Sequence, residues 1–220
     1  MKSAPAATVL YRGTRALRTR AEILASAADL ASADGMEALS IGRLARELRM
    51  SKTGIFAHFG SKQELQLATV AAAKEVFLAQ VVKPSLAATR GLPRLTAMLE
   101  NWLRYVERIV FRGGCFFAAA SLEFDSRPGP VRAEVAALCS AWLGALRDEI
   151  AFAQRQLQMS SVEAPSQLAF ELHSYVQEAN WAFKLFDQKK AFSFARKAIA
   201  ARLASAVRRH PKHAKKGTKK

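Results

Sequence analysis

Only two cysteines, Cys115 and Cys139, occur in 220 residues, too few for a disulfide framework. The four histidines (His58, His173, His210 and His213) are scattered, and none joins a cysteine at metal-ligand spacing. A P-loop, a G-x-S-x-G elbow and an H-E-x-x-H helix are all missing. The expectation is therefore a protein without catalytic activity, metal or cofactor. Acidic residues are scarce too, 18 against 34 Lys and Arg, for a formal charge of +16. That balance favours a polyanionic partner but does not choose among DNA, RNA and anionic lipid. No run of about 20 apolar residues is seen, as a membrane span would need. Pro5 and polar neighbours break up the N-terminal stretch that a secretory leader would keep apolar. A cytoplasmic protein with no membrane partner is expected.

Strand-type alternation is rare, whereas alanine, leucine and arginine dominate, so the chain reads as all-α. Half of its residues are hydrophobic, enough for a sizeable core. Nine helices are expected, over residues 18–33, 41–48, 52–59, 62–82, 93–111, 115–124, 131–158, 167–187 and 191–207. Pro84, the Gly113-Gly114 pair and the segment SRPGP at 126–130 supply the breaks. The domain reading is a flexible basic arm at 1–17 and a DNA-binding unit at 18–65, whose fourth helix continues to about 83. A regulatory unit at 84–206 and a disordered basic tail at 207–220 follow. The tail holds seven Lys/Arg and no acid.

Residues 40–62 carry the sharpest signal. Ser40 precedes Ile41, Leu44, Ala45 and Leu48, an apolar face at helical spacing behind a serine N-cap. Ser51 is a second N-cap, and Ile55, Phe56 and Phe59 form the apolar face of the next helix. Gly60 stops it, and Ser61 with Glu64 forms a capping box. Two short helices joined by so tight a turn read as a helix-turn-helix. Phe56 and Phe59 are expected to pack in the core. Arg43 and Arg46 are expected on a solvated face. His58 is open to two readings, a phosphate contact or a packed ring.

Three pieces resemble the TetR family of bacterial transcriptional repressors. They are the opening helix leading into Gly35, the segment LSIGRLARELRMSKTGIFAHFGSKQEL from Leu39 to Leu65, and an all-helical remainder of fitting length. The resemblance implies DNA contacts by Ser40, Arg49, Ser51, Lys52, Thr53, Phe56, His58 and Lys62. Ser40 and Lys62 would face phosphates at helix N-termini, and Ser51, Lys52 and Thr53 would face base edges. The family often has tyrosine where Phe56 stands and a larger polar residue at the place of Ala57, so the operator sequence is expected to differ. Double-stranded operator DNA, a small-molecule effector and a second copy of the chain are the implied partners, with ligand-controlled repression as the mechanism. A charge-driven nucleic-acid binder without sequence preference is the alternative, separable by competition with unrelated DNA.

Aromatics cluster in the second half. Trp102, Phe117, Trp142, Tyr175 and Trp181, with Glu123, His173 or Asn180 for polarity, are candidates to line an apolar pocket. Periodicity fits plain core packing for each one singly. Cys115 reads as either a thiol sensor or an inert buried thiol. Leu168, Leu172, Tyr175, Ala179 and Phe183, then Ala195, Ile199 and Leu203, form two helical stripes. By the resemblance these would build a four-helix dimer interface. They fit equally as the chain's own core.

Overall fold

The computed structural model describes residues 6–207, with side chains from residue 17 onward. Nine helices lie within that span: α1 (Ala6–Asp34), α2 (Ile41–Glu47), α3 (Lys52–Phe59), α4 (Lys62–Ser85), α5 (Leu92–Glu107), α6 (Phe116–Phe124), α7 (Pro130–Arg155), α8 (Pro165–Phe186) and α9 (Lys190–Ala206). No strand accompanies them among the described residues, only an isolated bridge between Met159 and Val207.

The starts follow from local chemistry. Ser40, Ser51 and Ser61 each accept a hydrogen bond from the backbone N–H three residues on. Proline occupies the first turn of α5, α7 and α8, where its missing N–H has no partner to lose. Two boundaries depart from expectation. Helix α1 begins at Ala6 rather than at 18, so most of the expected flexible arm is helical; its Ala, Leu and Arg are strong helix formers. Helix α5 stops at Glu107 rather than 111. Ile109 turns left-handed (φ 52°), which drops Phe111 into the core and carries Gly113 to α1. Residues 1–5 and the basic tail beyond Val207 lie outside the described residues.

Helix α4 also corrects the sequence reading, because its length and composition match an apolar span, with a window of mean hydropathy 1.4. Its buried face is taken up by packing: Val70, Ala73, Phe77 and Val81 all lie in the core. Its last turns widen into a π segment, Leu78–Val82, just ahead of Pro84. The wider turn eases the clash between the proline ring and the carbonyl four residues back.

Two cores result. The small one gathers Ile23, Leu30, Leu39, Leu44, Ile55, Phe59 and Leu65 from α1 to α4. The large one takes the rest and extends into α1 through Ala28 and Ala31. The seam between them is polar. Both Glu123 carboxylate oxygens accept backbone N–H groups, from Met36 at 2.7 Å and Glu37 at 2.8 Å. Asp29 accepts the Arg112 N–H at 2.8 Å, and the Ser32 hydroxyl accepts the Gly113 N–H at 3.0 Å.

The expected dimer stripes are buried within the single chain. Leu168, Leu172, Ala179 and Phe183 on α8, and Ala195, Ile199 and Leu203 on α9, are each at most 9% exposed. These faces turn inward, where α8 and α9 pack on each other and on the large core. Tyr175 is half-buried against the same core. Arg202, beside this stripe, pairs with Glu163 and Glu171, and Arg196 ties α9 to Glu100 and Glu107 of α5.

Candidate DNA-binding surface and ligand cavity

The turn between α2 and α3 is closed by backbone geometry. Leu48 ends α2, Arg49 adopts a left-handed conformation (φ 53°), and the Met50 N–H donates to Ala45 O at 2.9 Å. A side chain other than glycine is strained there, so Arg49→Gly is expected to raise stability by about 1 kcal/mol. Thermal unfolding of the two proteins side by side checks this.

Helix α3 buries Ile55 and Phe59, and its solvent face shows Lys52, Thr53, Phe56 and Ala57. Phe56 is 51% exposed, which corrects its expected place in the core. An eight-residue helix lying on α2 and α4 has an inward side for two large residues, and Phe56 stands one position past that side. The Lys52 stem crosses α2 at Gly42, where an added Cβ would lie 3.4 Å from Lys52 Cε. Gly60, at φ 72°, ends the helix. His58 is half-buried, with its ring 6.2 Å from that of Phe59. Ser40 and Ser51 are exposed and keep a hydroxyl proton to donate, since each caps its helix as an acceptor.

Lys62 sits at the start of α4, but its ammonium is already engaged. It donates to Glu37 O and to the Glu37 carboxylate, both at 2.9 Å. That hydrogen bond, joined by one from Gln66, holds the Glu37 carboxyl below its usual range. A phosphate would have to compete with Glu37 for this lysine.

A second site lies in the large core. A cavity of about 230 Å³, partly open to solvent, is lined by residues of α4 to α8. Of the expected residues, Trp102, Phe117, Trp142 and His173 line it. Phe77 of α4 meets three of these rings edge-on, at 6.4 Å from Trp102, 6.0 Å from Phe117 and 5.0 Å from Trp142. The sequence reading missed Phe77, Leu78 and Val82 because it assigned α4 to the DNA-binding unit; an aromatic on its buried stripe was the available signal. It also missed Cys139, Leu138 and Gln177.

The other expected pocket residues lie elsewhere. Asn180 and Trp181 line an outer groove of about 590 Å³ between α6 and α8, which shares Ala118, His173 and Gln177 with the cavity. Asn180 is occupied structurally, its Oδ1 accepting the Cys115 N–H at 3.0 Å. Glu123 and Tyr175 line neither space. Glu123 instead clasps the Met36–Glu37 backbone across the seam, since two free N–H groups there hold its carboxylate.

Burial sets the charge state inside. Both thiols are pushed up, Cys139 to about 11, so neither is a ready thiolate, and Cys115 is buried. Burial pushes His173 down, favouring the neutral ring. A histidine held neutral in the folded state loses stability as pH falls from its ordinary value of 6.5. The thermal midpoint is expected to decline from that pH toward 5, and His173→Gln should flatten this part of the profile; carboxylates titrate lower still.

A helix-turn-helix with an exposed second helix, sharing its fourth helix with a cavity-bearing helical domain, defines a helical DNA-binding regulator. The model for bacterial regulatory proteins of the tetR family matches residues 23–69, and that for the tetracyclin repressor-like C-terminal domain matches residues 91–199. The chain belongs to the TetR family of DNA-binding transcriptional regulators. Among solved structures, a TetR transcriptional regulator from Chloroflexus aurantiacus is similar over 90% of this chain and 100% of its own, at 22% identity and a TM-score of 0.82. AibR, solved with isovaleryl coenzyme A and operator DNA, is similar over 83% and 97%, at 24% identity and a TM-score of 0.67. The ketosteroid regulator KstR2 of Mycobacterium tuberculosis follows at 14% identity, with 87% and 96% covered and a TM-score of 0.62. No curated protein matches the sequence.

Proposed function

We propose that the chain is a cytoplasmic, non-catalytic repressor that binds a palindromic operator as a homodimer and releases it when a small molecule fills the cavity between α4 and α8. The observation that carries this reading is the course of α4. Its first turns belong to the small core through Leu65, beneath the recognition unit, and its last turns line the cavity through Phe77, Leu78 and Val82. A ligand that favours one position of α4 therefore changes the placement of α3. Release requires different affinities for the two positions, not occupancy alone. AibR, solved with both an acyl coenzyme A and operator DNA, supports the pairing of the two sites in one such protein. In this reading Ser51, Lys52 and Thr53 meet base edges, Phe56 offers an apolar face to thymine methyls, and Ser40, Arg49, His58 and Lys62 hold the backbone.

The dimer surface is assigned to the outward faces of α8 and α9, opposite the stripes first expected. Phe170, Trp181 and Leu185 on α8 and Phe194 on α9 are large apolar side chains between 47% and 65% exposed. Such a surface suits an interface core better than free solvent. The double variant Trp181→Glu, Phe194→Glu is expected to sediment as a folded monomer and to lose operator binding. A variant that stays dimeric would place the interface elsewhere. The charge-driven alternative predicts equal binding to any duplex.

A further inference from the structure

Two donors on the cavity lining lack an oxygen or nitrogen acceptor. Trp102 Nε1 and Trp142 Nε1 are both buried and unpartnered, and both side chains line the same space. Their rings meet edge-to-face at 5.5 Å. An indole N–H can only donate, so no rotation or tautomer relieves either one. The Cys115 sulfur beside Trp102 is a weak acceptor. Leaving a buried donor unmet is costly enough that native interiors rarely keep one, let alone two around one cavity. Gln177 Oε1 is a third buried, unpartnered atom on the lining, and its amide can turn either its oxygen or its NH2 inward. The remaining surface is almost wholly aromatic or aliphatic, and a volume of about 230 Å³ is below the span of drug-sized sites. Lys74 is the one cationic side chain on the lining, and it is half-buried.

We propose that the cavity takes a compact, uncharged aromatic or cyclic molecule whose carbonyl-type oxygen accepts hydrogen bonds from the Trp102 and Trp142 indole N–H groups. This rests on the effector reading of the same cavity and specifies its chemistry. A carbonyl needs what the two indoles offer, and its ring replaces the contacts an empty apolar space lacks. A carboxylate held by the two neutral indoles would lose more hydration than a carbonyl does, and Lys74 is the one charge on the lining to offset that cost.

Three probes of nearly equal shape test this on the full chain without DNA: acetophenone, α-methylstyrene, in which the carbonyl oxygen becomes a methylene, and benzoate. Calorimetry and intrinsic tryptophan fluorescence give the affinities. Acetophenone is expected to bind about tenfold or more tighter than α-methylstyrene, and tighter than benzoate. Trp142→Phe keeps an aromatic ring and removes one donor, so the preference should shrink severalfold while α-methylstyrene binding holds. Trp102→Phe gives the same readout if the first variant folds poorly. Equal binding of ketone and hydrocarbon, tightest binding of benzoate, or no saturable binding below about 1 mM would overturn the proposal. Operator affinity is measured separately. The expected preference without operator release leaves the cavity chemistry standing and removes the release mechanism. Release by compounds that lack an acceptor oxygen does the reverse.

Discussion

Gly113→Ala is expected to cost about 3 kcal/mol or more of folding stability, at the high end for a single added methyl group. The reason is the approach of the 112–114 loop to α1. A Cβ at Gly113 would lie 1.7 Å from Ser32 O and 2.0 Å from Ser32 C. Both are backbone atoms of a long helix, so neither can swing aside as a side-chain tip would. The loop must lift, and its lift breaks a set of bonds together. The Gly113 N–H leaves the Ser32 hydroxyl, the Arg112 N–H leaves Asp29, and the Lys184 ammonium loses Arg112 O, which it holds at 2.6 Å. Phe111, buried beside the loop, is pulled outward. Chemical denaturation checks the magnitude. A change below about 0.5 kcal/mol would mean that the seam is not packed as described. The same variant should be more readily cut by protease near residue 113, because local opening there becomes cheaper.

Lys52→Ala is expected to lower operator affinity by about 10- to 100-fold while leaving the thermal midpoint unchanged. Lys52 is exposed in the first turn of α3, and its stem passes over half-buried Gly42. Removing it therefore leaves the small core intact. Its effect should be selective. If the ammonium reads a base edge, one position of the operator becomes permissive and affinity for unrelated duplex falls far less. If it meets only phosphate, both affinities fall together and the salt dependence becomes shallower by about 0.9 in log–log slope. Titrations against operator and unrelated DNA at two salt concentrations separate these cases.

What was legible in the sequence was local. Ser40, Ser51 and Ser61 act on N–H groups three residues away, so their caps and the helices they start could be read directly. The prolines of α7 and α8 were not read in this way: Pro130 was placed in a break and Pro165 ahead of its helix, yet each stands in a first turn. Faces were harder. The α8 and α9 stripes were correctly periodic, yet a stripe does not say whether its partner is another chain or the chain's own core. Here the core took it, and the large side chains left outside, Trp181 and Phe194 among them, belonged to the opposite face. Phe56 was misplaced for a related reason, since in a helix of two turns one residue's offset separates the inside from the outside. Glu123 was beyond any local reading, because its partners Met36 and Glu37 lie 87 and 86 residues away. The cavity was half legible. Aromatic density pointed to Trp102, Phe117 and Trp142, but closing the space needed Phe77 from the helix that also supports the recognition unit.

The central claim is that this TetR-family chain reads a particular DNA sequence, and the most direct test is selection from random duplex DNA at about 150 mM salt, where charge-only binding is weakened. The account predicts one palindromic motif, with half-sites about one helical turn apart and two chains bound per duplex. Recovery of no motif, with binding that collapses as salt rises, would contradict it and leave the charge of +16 as the whole basis of DNA affinity.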